Sequence, residues 1–321
     1  MSTFNFSELT PDLILDAIES VGVMVESGLL ALNSYENRVY QFIGQDNKRY
    51  VAKFYRPQRW SEDQLNEDHS FSLELAEHEV PVVAPMVING ESLHLYKGYH
   101  FAIFPSLGGR QFEVDNLEQL EWMGRFIGRI HQVAKTRLFI HRPTINTQDY
   151  LVKSVAELHG SQLIPSGLHE PFFTILEQVV ALTTKRYHTT DIMRLHGDCH
   201  PGNILWRDGP TFVDLDDCRN GPAVQDLWMM LSGDNQSQSL QMSTIVDAYE
   251  EFCDFNPSQL SLIEPLRAMR MVHYMAWLSR RWQDPAFPQA FAWFAEPRYW
   301  EQQILALKEQ LSALQEAELR I

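Results

Sequence analysis

The sequence predicts an α+β architecture of two lobes, a small antiparallel sheet carrying one helix and then a larger, mostly helical lobe. Three observations predict it. Before about residue 105 the apolar residues fall in short β-branched and aromatic runs separated by turn signals, whereas beyond residue 117 they recur at spacings of three and four. Between the two regimes stands Pro105-Ser106-Leu107-Gly108-Gly109, a composition suited to a hinge. Within the helical part, one conspicuous hairpin over 204–213 interrupts the helical period. The implied boundaries are 1–105 and 106–321, with the hinge at about 104–109, and 321 residues are enough for about two domains with their own cores.

The elements follow in order. Residues 39–43 and 50–55 are strand-like, and the polar turn Gly44-Gln45-Asp46-Asn47-Lys48 joins them as a hairpin. Over 61–77, Leu65, Phe71, Leu73 and Leu75 sit among acidic and polar residues behind a capping Ser61, which predicts a helix. Pro81 to Pro85 is an extended linker, and the apolar runs 92–96 and 100–104 flank a turn at Gly98. After the hinge, Leu117, Leu120, Met123, Ile127 and Ile130 form one apolar helix face, with Asp115 and Glu118 as its capping signature. Similar periodicity over 172–182, 242–252, 262–282 and from 299 onward predicts further helices.

Composition narrows the function classes. No run approaches the ~18 consecutive apolar residues of a membrane span. The start, MSTFNFSELTPD, lacks the basic and apolar regions of a signal peptide, so a cytoplasmic monomer is the expectation. A net charge of -16 argues against nucleic acid as a partner and fits a basic or amine-bearing acceptor, although solubility alone also explains it. Cys199, Cys218 and Cys253 show no CxxC spacing and read as free thiols. Oxidation of Cys199 or Cys218, which flank motif residues, is a secondary reading.

The chemistry concentrates in HGDCHPGNILWRDGPTFVDLDD, from His196 to Asp217. Two strands joined by Arg207-Asp208-Gly209-Pro210 bring their outer ends together, so Asn203, entering the first, and Asp214, leaving the second, share one edge. Asp198 stands five residues before Asn203 in a glycine- and proline-rich loop. Phosphoryl transfer needs oxygen ligands for magnesium and a carboxylate that accepts the proton of the attacking hydroxyl. Asn203 and Asp214 meet the first need and Asp198 the second. Turn chemistry explains any one of these residues alone, but not all of them together. Asp216 is the second choice for the metal role. His196 and His200 lack a carboxylate at zincin spacing and make a poor metal site. Asp226 either caps the helix that follows or holds the loop backbone.

This segment resembles the catalytic and metal-binding loops of the aminoglycoside phosphotransferase and choline kinase superfamily. The resemblance implies a protein-kinase-like fold, ATP and Mg2+ as cofactors, Asp198 as catalytic base, Asn203 and Asp214 as metal ligands, and His196 as a structural residue under the loop. Tyr50-Val51-Ala52-Lys53-Phe54 looks like the strand lysine motif of kinases, and a lysine in a half-buried strand favours a phosphate-binding role for Lys53. Its acidic partner is expected on the next helix, where Glu67 is chosen for its longer reach, with Asp68 second and Glu74 on the solvated face. The turn Asn33-Ser34-Tyr35-Glu36-Asn37 replaces the glycine-rich phosphate loop of protein kinases, and Ser34 is its candidate phosphate contact. Adenine is expected against 104–107.

Further blocks, among them NSYENRVYQF, VAKFYRP, FPSLGGRQFE, IEPLRAMR and RRWQDPAFP, are similar to the bacterial stress response kinases over about residues 30–290. That family is described as cytosolic serine/threonine protein kinases, so the resemblance implies protein substrates. Competing readings are a kinase for a small alcohol or amine, with Asp234, Glu264, Tyr274, Trp277 and Trp282 as a cation pocket, and a non-catalytic binding module. Transfer of AMP in place of phosphate is a third.

Overall fold

The computed structural model describes residues 5–321. Among these residues, those up to 105 build a five-stranded antiparallel sheet in the order β1-β2-β3-β5-β4, from β1 (Leu30–Ala31), β2 (Arg38–Ile43), β3 (Arg49–Phe54), β4 (His94–Tyr96) and β5 (Tyr99–Pro105). The predicted hairpin is β2–β3, paired Tyr40 to Ala52 and Val39 to Lys53. Side chains alternate across β3, so Ala52 and Phe54 point to one face and Lys53 to the other. The first face packs Phe42, Phe101 and Ile103 against Ile14, Ala17 and Ile18 of α1 (Pro11–Ser20). The second packs Tyr55 and Ala102 against Leu65 of α2 (Glu62–Glu77).

The sheet therefore carries two helices, not the single one expected. The signals of α1 are in the sequence: Thr10 caps the amide of Leu13, Pro11 opens the helix, and Ile14, Ala17 and Ile18 fall on one face. The predicted α2 is capped by a reciprocal pair in which Ser61 accepts from the amide of Gln64 and Gln64 accepts from that of Ser61. Phe71 and Leu75, further along α2, join the core of the helical part, so one helix is anchored in both.

The helical part contains α3 (Leu117–Ala134), α4 (Lys153–His159), α5 (Ser166–Arg186), α6 (Gln225–Trp228), α7 (Asn235–Tyr249), α8 (Ile263–Arg281), α9 (Ala286–Ala290) and α10 (Pro297–Ala313). The cap of α3 is Asn116, which accepts from the amide of Gln119, rather than Asp115, whose carboxylate accepts from Ser232. A Cβ on Gly124 or Gly128 would lie 2.3 or 2.6 Å from the carbonyl oxygens of Ile245 and Tyr249, so these glycines let α3 and α7 pack at backbone distance.

The hairpin over 204–213 is β8 (Ile204–Trp206) and β9 (Pro210–Phe212), and β6 (Arg110–Gln111) adds a third strand to it. A second pair, β7 (Met193–Leu195) with β10 (Arg219–Gly221), was not expected and brackets the loop on both sides. The linker after α2 docks on the hairpin, where the amide of Val83 donates to Phe212 and that of Phe212 to Pro81. Among the described residues no helix is long and apolar enough to cross a membrane.

Candidate active site

Strand β7 delivers the chain into the loop that starts at His196. Asp226 holds that loop: its two oxygens accept from the amides of His196 and Gly197, both at 2.8 Å, and His131 Nε2 donates to it at 3.0 Å. Gly197 has φ +84°, and a Cβ there would stand 2.3 Å from the Asp217 carbonyl oxygen, so only glycine lets the loop pass. His196 is buried under the loop and donates through Nε2 to the Val213 carbonyl at 3.0 Å, and His200 accepts from the amide of Gly202.

The hairpin register brings the predicted groups together. The amide of Val213 donates to the Asn203 carbonyl at 3.0 Å, so Asn203 and Asp214 leave adjacent strand ends. Asn203 Nδ2 donates to the Asp198 carbonyl at 3.0 Å, tying the amide side chain to the loop of the candidate base and leaving Oδ1 as its acceptor. Asp214 adopts a left-handed backbone, φ +60° and ψ +61°, a conformation rare for a residue with a side chain and common at functional sites. Its side chain is half exposed, and Oδ1 lies 2.5 Å from Lys53 Nζ. Burial alone would lower the pKa of Lys53, but Asp214, Asp216 and Asp68 raise it, so the ammonium stays charged.

The partner expected for Lys53 is corrected. Glu67 accepts from the amides of Ile140, His141 and Arg142 at 2.7–2.8 Å, clamping a loop 73 or more residues away. Its neighbour Asp68, about 100° further round α2, is buried on the lysine side and has a pKa pushed up to about 6 by burial despite Arg142 and Lys53. Glu74 is not on a solvated face, since Arg194 at 2.6 Å and Arg137 at 2.8 Å bind it. The Ser34 turn, held by the Ser34 amide on the Leu32 carbonyl, comes to the same edge of the site: Asn37 Nδ2 donates to Asp216 at 2.9 Å.

Around this edge lies a charge lattice with members that the sequence reading missed. Arg59 binds Asp216 at 2.7 Å and Asp217 at 2.8 Å, Arg219 binds Asp217 at 2.6 Å, and Arg142 donates to the carbonyls of Asp216 and Cys218. Burial opposes the charge on both carboxylates, yet Lys53 and Arg59 hold Asp216, and Arg59 and Arg219 hold Asp217, below the usual carboxylate range. Asp198 carries its own pair: Arg270 Nη1 donates to Oδ1, and His200 Nε2 is 3.4 Å from Oδ2. Burial would raise its pKa, but the His200 hydrogen bond and the Arg270 charge bring it down to about 2.

The donor set suits a hard cation shared with phosphate oxygens. Asn203 and Asp214 offer oxygen, and buried Asp216 Oδ1 has no hydrogen-bond partner among the described residues. No three His, Cys, Asp or Glu side chains among the described residues form a metal cluster by themselves. Cys199 and Cys218 are fully buried, and burial pushes both thiols up, which makes oxidation there unfavourable.

Asp198 opens on a cleft of about 300 Å3 walled by Tyr150, Arg270, Tyr274 and Trp277. The five-residue cation pocket does not form. Asp234 caps α7, Glu264 binds Arg267 and Gln310, and Trp282 packs on Phe294, leaving Tyr274 and Trp277 at the cleft.

Comparison with known proteins agrees with this geometry. Residues 29–263 match the family described as the phosphotransferase enzyme family. Over all 321 residues, the chain is 53% identical to stress response kinase A of Escherichia coli strain K12, covering 98% of that protein. It is 52% identical over the same length to serine/threonine protein kinase RdoA of Salmonella typhimurium strain LT2, again covering 98% of the relative. An amicoumacin kinase solved with AMP-PNP and Ca2+ shares the fold, with a TM-score of 0.65 at 18% identity over 86% of this chain and 88% of that one. The chain is thus an enzyme of the phosphotransferase enzyme family and belongs, within it, to the bacterial stress response kinases.

Proposed function

We propose that the protein is an ATP- and Mg2+-dependent serine/threonine protein kinase that moves the γ-phosphoryl group to a protein hydroxyl with Asp198 as base. The observation that carries this reading is the convergence of Asp198, Asn203 and Asp214 at one hairpin end, with Lys53 on Asp214. Lys53 holds the inner phosphates, Asp68 and Asp216 keep it charged, and the turn at Ser34 covers the phosphate side. Asn203 and Asp214 would hold Mg2+, which when bound would neutralise charge on the phosphates. The nucleotide sits between lobes 1–105 and 106–321, with adenine against 104–107, in a cytoplasmic monomer. Asp198 orients the acceptor hydroxyl and takes its proton. Being a weak base, it does so as the oxygen bonds to phosphorus and becomes acidic.

The relatives named as a stress response kinase and a serine/threonine protein kinase support the acceptor class, and the amicoumacin kinase supports nucleotide with a divalent ion. The test uses ATP labelled at the α or the γ position with protein acceptors. Label transfer from γ alone, lost in Asp198→Ala while the variant stays folded, is the expected result, and transfer from α would mean AMP donation. A small-alcohol kinase is the second reading, favoured by the small aromatic cleft of Tyr150, Tyr274 and Trp277. Turnover on a metabolite panel with none on protein would select it.

A further inference from the structure

Three arginines and three acids, Asp198 among them, wall the cleft, a balance unlike the -16 of the whole chain. Two of the arginines are committed to structure. Arg59 is held by Asp216 and Asp217, and Arg219 by Asp217 and the Tyr150 hydroxyl at 2.5 Å. Of the acids, Glu36 is bound by Arg56, Arg281 and the indole of Trp277. Arg270 differs: among the described residues its hydrogen-bonded partner is Asp198, and its side chain is 43% exposed.

That pairing competes with catalysis by Asp198. An incoming hydroxyl shares the carboxylate with Arg270 on Oδ1 and His200 beside Oδ2, and a guanidinium that gives way to it loses a charge-assisted bond. A matching anionic group on the acceptor restores it. The exchange takes place on the acceptor side, because Arg270 stands with His273, Tyr274 and Trp277 on the cleft wall, and Lys53, Asn203 and Asp214 are not part of that wall.

We infer that Arg270 is a specificity-determining residue that passes from Asp198 to a carboxylate or phosphate group beside the acceptor hydroxyl. The favoured acceptor is then a serine or threonine in an acidic or already phosphorylated segment, not the basic one that net charge suggested. Since Arg270 starts in hydrogen-bond contact with Asp198, the anion lies within about two residues of the acceptor, or ~7 Å of extended chain. The transfer step keeps its balance: the acceptor oxygen bonds to the γ-phosphorus, the bond to the ADP oxygen breaks, and the hydroxyl proton passes to Asp198. This inference rests on the protein-kinase reading.

The test compares wild type, Arg270→Gln and Arg270→Lys on matched serine peptides flanked by alanine, glutamate, phosphoserine or lysine. Both kcat/KM and turnover-independent binding by calorimetry are measured. Wild type is expected to prefer the anionic peptides over the alanine peptide by about tenfold, through KM, equivalent to ~1.4 kcal/mol. Arg270→Gln is expected to lose that ratio and Arg270→Lys to keep part of it. The glutamate and phosphoserine arms say which anion is used. Phosphorylation without the preference, or a preference that survives Arg270→Gln, overturns the inference and leaves the kinase reading standing. Arg270-dependent binding of anionic peptides without phosphorylation of any peptide supports the anion site and overturns the protein-kinase reading instead.

Discussion

Asp198 and the pair Asp216–Asp217 are carboxylates within twenty residues of one another in opposite circumstances. The pair is packed among Lys53, Arg59, Arg142 and Arg219, with ion contacts of 2.6–2.8 Å to Arg59 and Arg219. Asp198 lines the cleft, as Asp217 does, but is engaged by one half-exposed arginine and one histidine. A buried lattice whose charges are mutually satisfied holds geometry, since removing one member strands the others. A carboxylate with a displaceable partner is available for chemistry. The two regions should therefore respond to substitution in different observables.

The largest effect is expected at the cleft. Asp198→Asn should lower single-turnover phosphoryl transfer by about 10²–10⁴-fold and leave the thermal midpoint nearly unchanged. A comparable loss of stability would erase the distinction. Next comes the lattice: Arg59→Met should cost about 3–5 kcal/mol in urea unfolding, because Asp216 stays buried with less compensation. Glu67→Gln sharpens the comparison on the lysine side, with ~1–3 kcal/mol of stability lost from three carboxylate–amide contacts and nucleotide affinity largely kept. An affinity collapse in that variant would restore Glu67 as the partner of Lys53.

The last effect concerns pH. His69 is buried against Tyr55 and Ser92, and burial together with the Lys53 charge lowers its pKa to about 3 from an ordinary 6.5. A histidine depressed in the fold binds its proton in the unfolded chain first. Its contribution is thus complete above about pH 6.5 and is lost as pH falls towards 3, at up to ~1.4 kcal/mol per pH unit. The stability difference between wild type and His69→Gln should shrink between pH 7 and 4.5, and a constant difference would refute the assignment.

What the sequence made legible tracks the distance between partners. Asp198, Asn203 and Asp214 lie within seventeen positions, and a two-strand hairpin has few registers, so spacing alone brought them to one edge. Lys53 was readable because a cation within an apolar strand is costly unless used. Its carboxylate was not, because Glu67 and Asp68 are adjacent and the rotation of α2 depends on contacts with residues 140–142, more than seventy positions away. The same limit hid Arg59, Arg142 and Arg270, surface-type residues on their own helices and loops until the fold closes around them. The missed α1 is a different failure, for its cap, proline and apolar face were all present.

The central claim is that Asn203 and Asp214 hold a divalent ion against the nucleotide beside Asp198. Calorimetric binding of a non-hydrolysable ATP analogue, with and without Mg2+, tests it in wild type, Asn203→Ala and Asp214→Asn. The account predicts that Mg2+ tightens binding to wild type at least tenfold and does little for either variant. Equal enhancement by Mg2+ in all three proteins would contradict it.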